Sequence, residues 1–324
     1  MSTEMSSGCR FVIVFLVQFV SNIFIPDHDA AAFKSVQHHS SLSSVLDRAV
    51  QMLFGGFARW DSVHFLHIAE FGYTFEQNLA FAPLYPFLVR YVTRAWWCML
   101  PVGVLQLRSA LLLTGVALNA SLFCSAASVL CRLTKLLYEC HDSKTAGNAF
   151  QRASVCATLF TINPASVFFA ACYSESLYAA LTFYGLLLLY SNNNSSSLMV
   201  RCCSASVCFA LALLARSNGL LNIGFVAFVL LEQLHNAMSA RRACLRVLRT
   251  LCVGVCSLVL FVLPYTVHSV IVYQTFCLTR HHPDLHPSIR ALAKTDNTLV
   301  LPGNLSQLTC SNSVMVLFQL ACCH

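Results

Sequence analysis

Apolar residues along this chain are gathered into long continuous runs and do not alternate with polar ones. Runs approaching about 18 residues are typical of helices that cross a bilayer. Lipid offers the backbone no hydrogen bonds, and continuous apolarity favours helices over barrel strands. The pattern predicts an all-α, polytopic helical membrane protein with about seven transmembrane helices. The predicted spans are Phe11–Ile25, Ser109–Leu130, Ala153–Ala171, Leu177–Tyr190, Leu198–Ala215, Asn218–Leu231 and Leu251–Tyr273.

The stretch between the first two runs, residues 26–108, contains no segment that reads as a complete span. Two parts of it mix apolar and polar residues, which predicts amphipathic helices on the membrane surface at Ser44–Phe54 and Trp60–Ala69. A third part, Phe81–Val92, is interrupted by two prolines, so we expect it to re-enter the membrane or lie in its interface. The first run, Phe11–Ile25, is short, and a cleaved signal peptide is its alternative interpretation.

Composition excludes an ordinary water-facing surface. Hydrophobic residues make up 57% of the chain and charged residues 10%, whereas soluble domains carry about 25% charged residues. The net charge of +7 is better explained by basic loops that orient helices than by nucleic-acid binding. Many of the seventeen cysteines lie in apolar runs, and no CxxC array has zinc spacing, so we interpret them as small packing residues.

Basic residues are concentrated after Leu130 and after Leu231, in two predicted loops separated by an even number of spans. Both loops therefore lie on one side of the membrane, which the positive-inside rule identifies as the cytosol. A long luminal first loop, residues 26–108, and the tail after Leu278 then face the opposite side. The basic residues concerned are Arg132, Lys135, Lys144, Arg152, Arg241, Arg242, Arg246 and Arg249.

Polar residues at membrane depth are costly, and one group of them begins at Arg59-Trp60-Asp61. In a helix, Asp61 and His64 share a face, whereas Glu70 points about half a turn away. A carboxylate close to a bilayer can act as a general base. The alternatives are an interfacial helix with an exposed polar face, or a metal site of His64, His67 and Glu70, although that spacing matches no standard zinc site.

Three further polar groups lie at the ends of predicted spans. Asn163 precedes Pro164, which frees a backbone carbonyl that the Asn163 side chain could satisfy; a simple helix kink is the alternative interpretation. Glu175, in Tyr-Ser-Glu-Ser, either caps the next helix or contacts substrate. Arg216, followed by Asn218, lies beside a helix start and suits a phosphate group or, alternatively, lipid headgroups.

Four motifs, in this order, resemble the PIG-V family of mannosyltransferases of glycosylphosphatidylinositol (GPI) anchor assembly. They are RWDSVHFLHIAEFGY, AFAPLYP, INPASVFFAACYSESLYAALTF and ARSNGLLNIGF, within a resemblance from about Phe54 to Cys277. The resemblance implies a C-type glycosyltransferase in the endoplasmic reticulum membrane. It implies transfer of the second mannose, α1,6-linked, from dolichyl-phosphate mannose to the GPI glycolipid, with inversion. No tightly bound cofactor and no obligate metal are implied, and a small accessory membrane subunit is a candidate partner.

The resemblance also implies roles for particular residues. Asp61, in the Trp-Asp pair that matches the family motif, is the expected catalytic base. Arg216 or Arg59 is expected to neutralise the leaving phosphate. The other expected substrate contacts are Trp60, His64, Glu70, Asn163, Glu175 and Asn218.

The tail does not carry the resemblance. We therefore expect a mannosyltransferase-like domain at residues 1–277, a divergent luminal tail at 278–324, and a chain truncated relative to the family, since Val314–Cys323 is too short to span. A non-catalytic partner in GPI assembly and a multi-span transporter are the alternative functions. A transporter is expected to show mid-span charges and inverted repeats, and the sequence has no detectable repeat.

Overall fold

The computed structural model describes residues 44–141, 148–191, 197–238, 243–278 and 286–295, with six further residues between Ile13 and Phe24. Within these ranges the chain is helical and has no strand, which confirms the predicted all-α class. The helices are α1 Val45–Phe54, α2 Asp61–Phe71, α3 Leu84–Trp97, α4 Leu107–His141, α5 Ala149–Thr161, α6 Ser166–Ala170, α7 Glu175–Tyr190, α8 Leu198–Ala215, α9 Ile223–Met238, α10 Ala243–Tyr273 and α11 Pro287–Thr295.

Four helical segments among the described residues are long and apolar enough to cross a bilayer. They are Leu107–Glu139, Leu198–Ala215, Ser217–Met238 and Cys244–Cys277. α7 is apolar but shorter. The polytopic character predicted from the sequence is therefore confirmed, whereas the count of seven stays a prediction. Most of the predicted first span, Phe11–Ile25, lies outside the described residues.

Two predicted basic loops are partly helical. α4 has 35 residues and continues to His141, so Arg132 and Lys135 lie within it and not in a loop after Leu130. α10 begins at Ala243 and likewise contains Arg246 and Arg249. A helix as long as α4 extends about 50 Å, whereas the hydrocarbon layer is about 30 Å thick, so its end can carry charges beyond the lipid.

The predicted span Ala153–Ala171 is wrong as a single helix. α5 ends at Thr161, and the short helix α6 begins only at Ser166. Pro164 lies in the break, because proline has no N–H to donate and disfavours helical backbone at the residue before it. A kink is one expectation from the sequence at this position, and the structure shows an interruption of the helix.

Helix ends elsewhere shift by a few residues. Helices are present at both positions predicted in the first loop, as α1 and α2, and the third segment forms α3. Most of α2 is buried, and the location of these helices at the membrane surface stays a prediction. The predicted span Asn218–Leu231 begins as the 3-10 helix Ser217–Asn222 and continues as α9. Such shifts are typical of boundaries judged from hydropathy alone.

The described chain forms two compact units. Among the described residues, unit A comprises those of Leu122–Pro164 and Glu175–Val267. Its core is apolar and close-packed, with α7 against α8, and Gly185 there leaves room for the buried ring of Phe209. The core is built from Leu189, Cys202, Ala205, Phe209, Ala210, Leu213, Val226, Val229, Val253 and Phe261.

Among the described residues, unit B comprises those up to Ser121, Ala165–Ser174 and those from His268 to Thr295. Its helix α1 begins with Ser44, whose hydroxyl accepts a hydrogen bond from the Asp47 amide, while the Asp47 carboxylate accepts from the Ser44 amide. Asp47 is buried and also accepts from the amide of Gln106 at 2.9 Å. The face of α1 that carries Asp47 is therefore directed inward, and Val45 and Met52 on the other side of the helix are exposed.

Helix α2 is fixed at its C-terminal end. It stops at Gly72, whose φ of 86° suits glycine. The guanidinium of Arg90, on α3, donates to the carbonyls of Ala69 at 2.6 Å and Ile68 at 2.8 Å. Carbonyls that lack partners at a helix end are thereby satisfied, and the axis of α2 is held against α3.

Candidate active site

The turn that leads into α2 has a rare backbone conformation. Trp60 has φ 57° and ψ −129°, and among the described residues it is the one non-glycine residue with a positive φ. This mirror image of extended backbone is open to glycine, and for other residues it costs about 1–3 kcal/mol. Such strain is concentrated at functional sites in proteins. It falls immediately before Asp61, the first residue of α2.

Asp61 is accessible to a ligand. Its side chain is exposed, as is that of Trp60, and both lie at the N-terminal end of α2. The carboxylate therefore lies on an open surface, where it can accept a proton from a bound hydroxyl group.

Backbone and side-chain contacts hold this turn from a distant part of the chain. The hydroxyl of Tyr173 donates to the carbonyl of Arg59 at 3.2 Å. The same carbonyl accepts from the amide of Ser62 at 3.2 Å, and the amide of Cys172 donates to the carbonyl of Phe57 at 3.2 Å. The turn before Asp61 is thus tied at two positions to residues more than a hundred positions later.

The segment that supplies these contacts, Ala171–Ser174, is non-helical and buried. Its free backbone carbonyls are satisfied by Asn119 of α4, whose side-chain amide donates to Ala171 and, at 3.0 Å, to Tyr173. Asn119 is fully buried. Unpaired carbonyls in such a segment would be costly, so one asparagine fixes the path of the chain there.

Sequence analysis missed Tyr173 and Asn119. The Tyr-Ser-Glu-Ser motif was noted for its acid and not for its phenol. A lone asparagine in the middle of an apolar run is itself a signal, because intramembrane polar groups normally have a specific partner. Nothing in the sequence indicates that the partner is the segment Ala171–Ser174.

The two histidines of α2, of which His67 is buried and His64 partly buried, make separate contacts. His64 Nδ1 lies 3.3 Å from the side-chain oxygen of Asn78, and its ring stacks on Phe81. His67 Nε2 lies 2.7 Å from the hydroxyl of Thr74. Burial lowers the pKa of His64, and burial together with the charge of Arg108 lowers the pKa of His67 to about 3. His67 is therefore neutral at physiological pH.

Glu70 is directed to a partner on another helix. Its carboxylate forms an ion pair with Arg108, at the start of α4, at 3.2 Å, and its side chain is 6% exposed. His64, His67 and Glu70 thus contact three different partners. Across the described ranges no group of three His, Cys, Asp or Glu side chains is arranged to hold a metal ion.

Four predicted residues lie in unit A. Glu175, the first residue of α7, forms an ion pair with Arg216, the residue that follows α8. Their side chains are 22% and 34% exposed. Asn218 is exposed in the 3-10 helix that follows, and Asn163 is exposed at the break before Pro164.

The predicted site residues therefore fall into two groups. Unit B contains Arg59, Trp60, Asp61, His64 and Glu70, whereas unit A contains Asn163, Glu175, Arg216 and Asn218. The first group offers an exposed carboxylate that can accept a proton. The second offers a partly exposed guanidinium, which can bind a phosphate through paired hydrogen bonds if the phosphate competes with Glu175.

Comparison with known proteins identifies similar sequences over most of the chain. The profile of a family described as Mannosyltransferase (PIG-V) matches residues 5–320. This range extends past both limits of the resemblance carried by the four motifs and includes most of the tail. No solved structure matches the chain.

Curated relatives share about one third of their aligned residues with this chain. GPI mannosyltransferase 2 of Drosophila melanogaster is 36% identical over 72% of this chain and 48% of its own length. GPI alpha-1,6-mannosyltransferase 2 of Cricetulus griseus is 36% identical over 84% of this chain and 50% of its own length. The human protein of that name is 33% identical, over 92% and 56% respectively. The chain thus spans about half the length of the curated relatives it matches.

Proposed function

Since this chain belongs to the PIG-V mannosyltransferase family, we propose that it transfers the second mannose, in α1,6 linkage, to the GPI-anchor precursor. Relatives named for this reaction support the proposal. We propose dolichyl-phosphate mannose as the donor, the lumen of the endoplasmic reticulum as the location, and a multi-pass membrane form. The acceptor is then a GPI glycolipid, and a small accessory membrane subunit remains a candidate partner.

The proposed reaction is a single displacement at C1 of mannose. The acceptor's 6-hydroxyl attacks C1 while the Asp61 carboxylate takes the hydroxyl proton. The bond between C1 and the phosphate oxygen breaks, and its electron pair leaves with dolichyl phosphate. A β-linked donor then gives an α-linked product, and such an inversion needs only one protein carboxylate as base.

Asp61 is the residue on which this mechanism depends. It is an exposed carboxylate at a helix start, it follows the strained Trp60, and its turn is held by Tyr173. Strain that the fold maintains beside an exposed acid is the observation that most favours Asp61 over the other acids. Glu70 and Glu175 are instead engaged in ion pairs.

Arg216 is the proposed partner of the donor phosphate. Its guanidinium pairs with a carboxylate oxygen of Glu175, so it already binds an anionic group. A phosphate bound there would displace Glu175 in part, and a guanidinium can hold a phosphate through paired hydrogen bonds. Trp60, His64, Asn163 and Asn218 remain proposed sugar or lipid contacts, and Arg59 is the alternative phosphate partner.

Complementation tests the enzymatic proposal. Cells that lack the second GPI mannosyltransferase are given this chain, its Asp61→Asn form, or the matched control Glu76→Gln, which alters another acid of the first loop. Surface GPI-anchored proteins are counted at equal protein levels. We expect the chain and the control to restore them, and Asp61→Asn to be at least about 100-fold less active, as loss of a general base predicts.

The other outcomes are informative. Rescue by Asp61→Asn at the level of the unsubstituted chain would remove Asp61 as the base. Rescue by none of the three forms, all present in the membrane, would contradict the enzymatic proposal and favour a non-catalytic partner in GPI assembly.

A further inference from the structure

We propose that Tyr173 is a positioning residue for Asp61, which its hydroxyl orients through the carbonyl of Arg59. The expected effect of Tyr173 on catalysis rests on the proposed role of Asp61 as base. The expected effect of Tyr173 on the conformation of the turn can be tested without measuring activity. Tyr173 lies 114 positions after Arg59 and contacts the turn from outside it. The hydrogen bond is thus a long-range support for a local conformation.

The turn before Asp61 is strained and needs support from outside. Trp60 occupies a conformation that L-residues rarely adopt, and among the described residues no other non-glycine residue has a positive φ. An isolated turn would relax out of it. The carbonyl of Arg59, one residue earlier, accepts from both Ser62 and Tyr173. These two bonds fix the peptide group whose rotation would relieve the strain at Trp60.

The residue that supports the turn, Tyr173, is itself held in place. A hydrogen bond positions a turn only if its donor is itself immobile. Tyr173 is 7% exposed, its ring stacks against Phe168, and its own carbonyl accepts from Asn119. The neighbouring amide, that of Cys172, binds the carbonyl of Phe57 just before the turn. The hydroxyl of Tyr173 is therefore held by the buried segment Ala171–Ser174.

The conformation of the turn affects the proposed reaction through the position of Asp61. The direction of the Asp61 side chain follows from the backbone at the start of α2, which the Trp60 conformation sets. A displacement of about 1 Å in a reacting group can lower a rate by about 100-fold. Tyr173 donates to a backbone carbonyl, so its assigned role is positioning and not proton transfer.

Hydrogen exchange on the full chain in lipid nanodiscs tests the support directly. Tyr173→Phe removes one hydroxyl and keeps the buried ring. We expect exchange in the peptide that covers residues 57–65 to rise about fivefold, as loss of one hydrogen bond predicts, with no change in α3. The matched control is Tyr184→Phe, since the Tyr184 hydroxyl lies 3.4 Å from that of Ser125 and far along the chain from Asp61.

Unchanged exchange at 57–65 in Tyr173→Phe would overturn the proposal. So would a rise of equal size in α3, because that result means general loosening. Neither hydrogen-exchange result depends on whether the chain is active. The enzymatic proposal is tested separately by the Asp61→Asn complementation experiment.

Kinetic constants distinguish positioning of Asp61 from a general contribution to stability. In membranes, Tyr173→Phe should lower kcat about tenfold and leave the donor KM within about twofold, because orientation and not binding is lost. In a Trp60→Gly background the same change should lower kcat by less than about threefold, since glycine adopts the turn without strain. Equal losses in both backgrounds would contradict the coupling.

Discussion

At the scale of single residues, the neighbourhood of Asp61 combines an exposed acid with buried neutral imidazoles. His67 is fully buried and His64 partly so, and both make neutral hydrogen-bonded contacts. Burial lowers the pKa of both imidazoles, so Asp61 has neutral histidines on its own helix at physiological pH.

The buried state of His67 predicts how stability depends on pH. Its folded pKa of about 3 lies below the ordinary value of 6.5, so between these values the unfolded chain binds a proton that the folded chain does not. The free energy of unfolding should therefore fall as pH decreases from about 6.5. The melting temperature of the solubilised chain, measured from pH 7.5 to pH 5, checks this.

The variant His67→Gln should show a smaller decrease over that range, because it removes the group that titrates. His235→Gln, which alters an exposed histidine near the end of α9, should keep the full decrease. A slope in His67→Gln equal to that of the unsubstituted chain would contradict the assignment.

The sequence pattern proposes the charged residues of the candidate site and does not indicate Tyr173 or Asn119, which contact the turn before Asp61 and the segment Ala171–Ser174. Asp61, Glu175 and Arg216 stand out because charge is expensive in an apolar chain. Tyr173 could not be recognised, because its role depends on a contact with Arg59 that no local pattern encodes. Arg108 was likewise absent from the sequence analysis, although it forms the ion pair with Glu70.

At the scale of elements, the passage from α8 to α9 depends on one close approach. Gly219 lies in the 3-10 helix Ser217–Asn222, and a Cβ there would overlap the backbone of Leu213 and lie 2.7 Å from the carbonyl carbon of Ala212. The 3-10 helix, which directly follows Arg216, thus folds back onto the end of α8.

Gly219→Ala should destabilise unit A by about 1–3 kcal/mol, since backbone atoms cannot move aside as a flexible side chain can. Gly224→Ala is the matched control, because a Cβ there meets no atom within 4 Å and alanine favours the helix α9 by about 1 kcal/mol. Thermal unfolding of the solubilised variants measures both changes. A lower melting temperature for Gly224→Ala than for Gly219→Ala would contradict this packing.

Element boundaries were predicted less well than element types. Hydropathy ended α4 at Leu130, because it counts Arg132 and Lys135 as polar, yet both residues are good helix formers with apolar stems. The opposite error occurred at Pro164, where apolar neighbours suggested continuity across a backbone break. Hydropathy measures transfer into lipid, whereas helix ends depend on backbone hydrogen bonds.

At the scale of the whole molecule, the charge pattern predicts that the first loop and the basic segments face opposite sides of the membrane. Two native cysteines provide markers. Cys98, in the first loop, and Cys244, in the basic segment, are both exposed free thiols. In sealed microsomes with the cytosolic face outward, a membrane-impermeant maleimide should label Cys244 and leave Cys98 unlabelled.

Detergent should expose both thiols, and mass spectrometry of the two peptides distinguishes them. Cys98→Ser and Cys244→Ser serve as controls for the assignment. Labelling of both thiols before detergent would place the first loop in the cytosol and contradict a luminal site at Asp61.

The overall class was predictable because composition alone restricts it. A chain with 57% hydrophobic and 10% charged residues must hide its backbone polarity in helices. The division into two units was not predictable, because it depends on contacts between segments far apart in sequence. The segment Ala165–Ser174, for instance, belongs to unit B although residues on both sides of it belong to unit A.

The long separation between Arg59 and Tyr173 also sets an order of events during synthesis. Ribosomes add about 5–20 residues per second, so the turn before Asp61 emerges many seconds before the phenol that holds it exists. Until then the nascent chain lacks the hydrogen bond that supports the strained backbone at Trp60. The turn that carries Asp61 is therefore completed only after Tyr173 has been synthesised, when α4 has also been made and can supply Asn119.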